Sequence, residues 1–168
     1  MSELCNSAPD GYVLRDCQVE ALLELERSWD HYDVFIINAP VASGKSLQAI
    51  SIAEWSKQRG QSTAILTPQV ILQDQYTKEF TEIPSLKGRG RYCCSEDGYE
   101  SCDDFFMTTE KYCIKCPYQA AKKAVKENPV GIYNLYSYLF DDGKSDILVV
   151  DEAHSIMSQL QEFYSIKL

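Results

Sequence analysis

Three groups of residues in this chain have types and spacings that can do chemistry. The first is APVASGKS, residues 39–46, which follows the apolar run DVFIIN. An ending of glycine, lysine and serine between a strand and a helix is the layout of a phosphate-binding loop, although Ala39 stands where the common pattern has its first glycine. At a helix start the backbone N–H groups point outward with partial positive charge, so Ser43, Gly44, Lys45 and Ser46 can surround the phosphates of a nucleotide. Lys45 would reach the terminal phosphates, and the Ser46 hydroxyl would bind Mg2+. The second group is DEAH, residues 151–154, at the end of the run DILVV. Asp151 would hold Mg2+ directly or through water, and Glu152 would orient and deprotonate an attacking water. His154 fits a coupling role better than a chemical one. The third group is a cysteine cluster: five of the seven cysteines fall between Cys93 and Cys116.

Cys113 and Cys116 form a Cys-x-x-Cys pair, which is half of a four-thiol metal site. Cys102 supplies a third ligand, and Cys93 and Cys94 compete for the fourth place. Four thiols suit either tetrahedral zinc or a 4Fe-4S cluster, and the thiols alone do not choose. The stretches SEDGYES and DD around them are polar and acidic, so free thiols would find little apolar burial, and the segment should be disordered without metal. Tyr92, Tyr99, Phe105, Phe106 and Tyr112 read first as the small core of that metal-held segment and second as surfaces for stacking bases. Cys5 and Cys17 stand apart and read as non-ligands.

Positioning these groups requires an alternation of strands and helices. Apolar residues between Leu14 and Trp29 recur at helical spacing. DVFIIN (33–38) has the pattern of a buried strand, and a helix should run from Lys45 to about Arg59, ended by Gly60. STAILT (62–67) repeats the strand and QVILQDQYTKEF (69–80) the helix. PYQAAKKAVKEN (117–128) is helical with proline at its start, PVGIYN (129–134) is a short strand, and DILVV in 146–154 a strong one. This is the pattern of an α/β domain with a parallel sheet and helices on both faces. Residues 84–116 fit neither period, as expected of a functional insertion held by something nonlocal.

Composition sets outer bounds. The chain has 168 residues, is 45 % hydrophobic and carries a net charge of −9. That charge argues against a generic nucleic-acid coat or an anionic membrane as the main partner. A local basic groove could still be built from Lys87, Arg89 and Arg91 before the cluster and Lys122, Lys123 and Lys126 after it. The N-terminal MSELCNSAPDGY lacks the basic and apolar regions of a secretory signal, and no apolar run is long enough to span a membrane, so a cytoplasmic location, or a nuclear one in a eukaryote, is expected.

In their order along the chain these motifs resemble the superfamily 2 helicases, and in particular their iron–sulfur branch, the XPD/DinG-like DNA helicases. LRDCQ (14–18) resembles the branch's adenine-side element, APVASGKS motif I, TPQVILQDQ (67–75) motif Ia and DEAH motif II. LKGRGRYCC (86–94) and CPYQAAKKAV (116–125) are similar to the segments flanking the family's cluster cysteines, and GIYNLYSYL (131–139) to a stretch with an Asn-Tyr pair, interrupted here by Leu135. The resemblance implies a RecA-like helicase lobe 1 over 1–83 and 117–168, interrupted by an iron–sulfur insertion over 84–116. It implies ATP and Mg2+ as cofactors, Gln18 as adenine reader with Arg15 as its companion, and Lys45, Asp151 and Glu152 as catalytic residues. It also implies a 4Fe-4S cluster, favoured over zinc, on Cys94, Cys102, Cys113 and Cys116, with Tyr92 fixing the register on Cys94.

The implied activity is DNA unwinding with 5′ to 3′ polarity on single-stranded or forked DNA. A second lobe would have to come from elsewhere, such as a separate polypeptide, since the sequence stops at Leu168. The isolated chain is then expected to bind ATP weakly and turn it over feebly. The alternative is a stand-alone binding or regulatory protein that keeps the fold without unwinding; a zinc-dependent ATPase unrelated to DNA is a third reading. Val41 and Ala42 depart from the threonine and glycine of the family's loop, and Ala42 leaves the loop less free to take a left-handed conformation.

Overall fold

Short runs of branched apolar residues build the sheet, and the longer amphipathic runs between them build the helices. The computed structural model describes residues 2–40, 42–141 and 144–165; Val41 and the end of the expected lobe, 166–168, lie outside them. In chain order the main elements are α1 (Asp16–Ser28), α2 (Lys45–Gln58), β1 (Thr63–Thr67), α3 (Val70–Glu79), β2 (Ser85–Leu86), α4 (Cys102–Thr109), α5 (Pro117–Glu127), β3 (Val130–Asn134), α6 (Leu135–Phe140), β4 (Ile147–Val150) and α7 (Ala153–Tyr164).

The four strands form one parallel sheet in the order β2-β3-β1-β4. Central β1 is buried along its whole length and pairs Thr63 with Val130 on one side and with Ile147 on the other. Because strand side chains alternate, β1 feeds both faces of the sheet. Ala64 and Leu66 pack with Tyr118 and Val125 of α5 and Leu135 of α6, while Ile65 packs with Ala49, Ile50 and Ala53 of α2 and Tyr76 of α3. Helices therefore cover both faces, as the alternation of patterns implies. Truncating fully buried Ile65 to alanine would cost about 2–5 kcal/mol.

The stretch 33–38, expected as a buried strand, is not one. It pairs with no strand of the described sheet, and Val34 and Ile36 are 77 % and 90 % exposed. An apolar run becomes a strand by hydrogen-bonding to a neighbour, and β4 pairs with β1 alone. The segment is held instead by Phe35, whose ring stacks on Trp29 at 5.5 Å and packs against the cluster of Leu4, Leu22, Leu25, Ile52 and Trp55.

The segment 84–116 is less irregular than its sequence. Ser85 and Leu86 add a strand beside β3, and the buried Gln73 amide locks it there by donating to Ser85 Oγ (2.8 Å), Leu86 O (2.8 Å) and Ile132 O (3.3 Å). Helix α4 starts where the Ser101 hydroxyl accepts the Asp104 N–H at 3.1 Å, with Asp103 and Asp104 in its positive first turn.

Candidate functional site

The phosphate loop lies between α1 and the N-terminus of α2. Gly44 has φ 83, and a Cβ there would stand 2.3 Å from Gln18 Nε2, so glycine is required both by conformation and by space. Ala42 is also left-handed, with φ 62, a conformation that disfavours any side chain. The loop is tied to α1 from outside: Arg15 Nη1 donates to Ala42 O (3.0 Å) and Gln18 Nε2 to Gly44 O (3.0 Å), while Gln18 Oε1 accepts the Arg15 N–H (2.8 Å). Gln18 is buried with both ends of its amide engaged on the chain itself. Ser43 Oγ is buried without a hydrogen-bond partner among the described residues. A buried hydroxyl in that state is costly, and a phosphate oxygen would satisfy it.

Facing the loop is the end of β4. Lys45 Nζ lies 3.2 Å from Glu152 Oε1 across a half-buried gap, and Glu152 Oε2 is 3.3 Å from His154 Nδ1. Glu152 itself is left-handed (φ 51), held by its N–H to Asp151 Oδ1 (2.9 Å) and by Ser155 Oγ donating to its carbonyl (2.8 Å). Strained backbone of this kind persists where the surroundings over-determine it. The Tyr76 hydroxyl, buried under α3, donates to Asp151 Oδ2 at 3.1 Å and also hydrogen-bonds the Ser46 side chain. Burial, reinforced by the Asp151 carboxylate, pushes its pKa well up, so it stays a neutral donor. Ser46 and Asp151 thus meet on one hydroxyl, and their oxygens are of the kind an Mg2+ ion takes, one or two from protein with the rest of its shell kept for phosphate and water.

The thiols converge on the opposite side of the sheet from α2. The sulfurs of Cys102, Cys113 and Cys116 all lie within 4.8 Å of one another, with Cys116 Sγ 3.7 Å from Cys102 Sγ. Cys94, the fourth expected ligand, lies outside that close trio with its thiol turned toward Cys113, whereas Cys93 is exposed and offers only its carbonyl, 3.7 Å from Cys102 Sγ. Burial pushes the Cys102 thiol up to about 12, with the Cys116 and Cys113 sulfurs adding to it. Desolvation acts the same way on Cys113, but hydrogen bonds from the Ser95 side chain and backbone and from Cys116 and Cys94 bring it down to about 7. A buried knot of thiols with no cationic side chain among them is the donor set of a soft metal. These are the residues on which the helicase resemblance places a 4Fe-4S cluster, and three of them form a group that could hold a metal ion.

Residues 11–167 match the family model for the type III restriction enzyme, res subunit (ResIII). The chain belongs to that family. ResIII is a helicase-superfamily ATPase domain, and the parallel sheet with its phosphate loop agrees with it. No curated protein and no solved structure matches the chain.

In this ResIII lobe the proposed basic groove is largely compensated. Lys87 pairs with Asp74, Arg89 with Asp103 (3.2 Å), Lys122 and Lys126 with Asp141 (2.6 and 2.9 Å) and Lys123 with Glu127 (3.7 Å). Arg91 has no acidic partner among the described residues. The cluster aromatics face one another: Tyr99 meets Phe105 at 4.9 Å, Phe106 meets Tyr112 at 5.0 Å, and Arg89 lies 4.0 Å over Phe106. Tyr92 and Tyr112 also pack on Tyr118 of α5, at 5.8 and 6.3 Å, so the insertion shares the core of the sheet face.

Two functional candidates escaped the sequence. Tyr76 and Gln73 sit three residues apart on α3, both buried and both polar, and their spacing was the available signal. Asn134, noted for the family's Asn-Tyr pair, caps α6 by accepting the Ser137 N–H at 3.0 Å.

Proposed function

We propose that this chain is the ATP-binding, DNA-engaging N-terminal part of an ATP-dependent DNA helicase, with efficient hydrolysis requiring a second lobe. The observation that carries the reading is the edge where Lys45 meets Glu152 and Tyr76 gathers Ser46 and Asp151. ATP would enter with its phosphates over Ser43, Gly44 and Lys45, displacing Glu152 from the lysine. Freed, Glu152 is placed to polarise a water for attack on the terminal phosphate, and Ser46 and Asp151 would hold Mg2+, which would neutralise the charge developing on the phosphates. Arg15 and Gln18 would sit beside the base while fixing the loop from behind.

Strand polarity, 5′ to 3′, and preference for single-stranded or forked DNA come from the helicase resemblance. Compensation of the basic residues favours a second reading, in which the lobe docks on a partner complex without unwinding.

Titrating the chain with a fluorescent ATP analogue and Mg2+ tests the nucleotide reading. Saturable binding that Lys45→Ala weakens about 10–100-fold, the worth of a charge-assisted contact, is the expected result. Equal binding by Lys45→Ala would remove the site. Fast DNA-stimulated hydrolysis by the chain alone would remove the need for a second lobe.

A further inference from the structure

The sulfur atoms are set for one ion. A Zn2+ bound by four thiolates has Zn–S bonds of about 2.3 Å, which places its sulfurs about 3.8 Å apart along the edges of a tetrahedron. Cys116 and Cys102 already stand at 3.7 Å, and Cys113 lies within 4.8 Å of both. Cys94 lies outside that trio with its thiol turned toward Cys113, so a small movement of the 94–96 turn would bring it in as the fourth ligand. In a 4Fe-4S cluster each thiolate binds a different iron, and the iron–sulfide edges between them hold the thiolates well beyond sulfur–sulfur contact.

Widening the pocket to that size has no easy route. The thiols are packed against Tyr92, Phe105 and Tyr118, with Tyr118 anchored on α5 and α5 on the sheet. Three of the four sulfurs also accept backbone N–H groups: Cys94 from Glu96 at 3.5 Å, Cys102 from Tyr118 and Cys113 from Ser95. Such bonds favour thiolates over thiols and fix where the lone pairs point.

From this geometry we infer that Cys94, Cys102, Cys113 and Cys116 hold a single tetrahedral Zn2+ in place of an iron–sulfur cluster. All four positions are filled by protein, so the ion is structural: it clamps the 94–96 turn, α4 and the start of α5 to one sheet face and activates no water. The inference rests on the reading of the cysteines as one metal site, and it is independent of the nucleotide edge.

Metal analysis of the chain purified without oxygen from cells supplied with both iron and zinc tests it. Zinc in a one-to-one ratio, no acid-labile sulfide and no visible absorbance are expected. Exchange with Co2+ should then give the intense visible bands of a tetrahedral tetrathiolate site. Iron accompanied by an equal amount of labile sulfide would overturn the zinc assignment while leaving the four-thiol site in place, as would iron without sulfide. Protein that holds no metal would overturn the metal site itself.

Discussion

The phosphate edge and the thiol pocket both gather reactive side chains, yet they are kept in place by opposite means. At the phosphate edge each charge has an internal counterpart: Lys45 meets Glu152, and Arg15 and Gln18 grip the loop carbonyls. That edge is largely tied together by the chain's own contacts, with the buried Ser43 hydroxyl left for a phosphate oxygen to satisfy. In the thiol pocket the sulfurs meet one another and the N–H groups of Ser95, Glu96 and Tyr118 rather than a counter-charge, and Arg89 nearby is paired with Asp103. If the thiols hold their metal, that pocket draws its order from a ligand, whereas the phosphate edge would use a ligand for its chemistry.

The largest effect should come from removing the metal. Structural zinc contributes on the order of 10 kcal/mol to the folding of small thiolate domains, so Cys102→Ser or a strong chelator should abolish amide protection across the insertion. Hydrogen exchange would show it, and residues 42–58 should stay protected if the two regions are separable. Cys94→Ser should lose the metal and Cys93→Ser should keep it; the reverse would show that Cys93 is the fourth ligand. Next in size, Tyr76→Phe removes the hydroxyl shared by Ser46 and Asp151. A loss of about 1 kcal/mol, or several-fold, is expected in Mg2+-dependent nucleotide binding, with Mg2+-free binding unchanged. Titrating Mg2+ at fixed nucleotide separates the two.

The smallest effect is at Ala42. Ala42→Gly relieves a left-handed alanine, and a gain of about 1 kcal/mol, about 2–4 °C in Tm, is expected from thermal melting. No gain would mean that the loop conformation is not strained at this position.

These differences follow what a sequence can carry. The strand–helix alternation was legible because Ala64, Ile65 and Leu66 in β1 and the branched run of β4 repeat locally. DVFIIN misled because a strand is defined by its neighbour, and apolar residues carry no record of whether that neighbour is present. The two residues of β2 are too few for any period, and Gln73, which fixes them, acts through contacts with Ser85, Leu86 and Ile132. That Lys45, Asp151 and Glu152 would gather at one edge was legible because they stand in short motifs at strand ends, and the structure brings Lys45 to Glu152 at 3.2 Å. Tyr76 was not, since a buried tyrosine looks like core until its hydroxyl is seen against Asp151. The paired basic residues were misleading for a similar reason: Asp141 lies 15 or more positions from Lys122 and Lys126, and nothing local announces that one carboxylate takes both.

The most direct test of the account is hydrogen exchange of the intact chain with and without saturating Mg2+ and ATP. New protection is predicted at residues 42–46 and 151–154, with the cysteine segment unchanged. No protection at the phosphate loop, or protection confined to the cysteine segment, would contradict it.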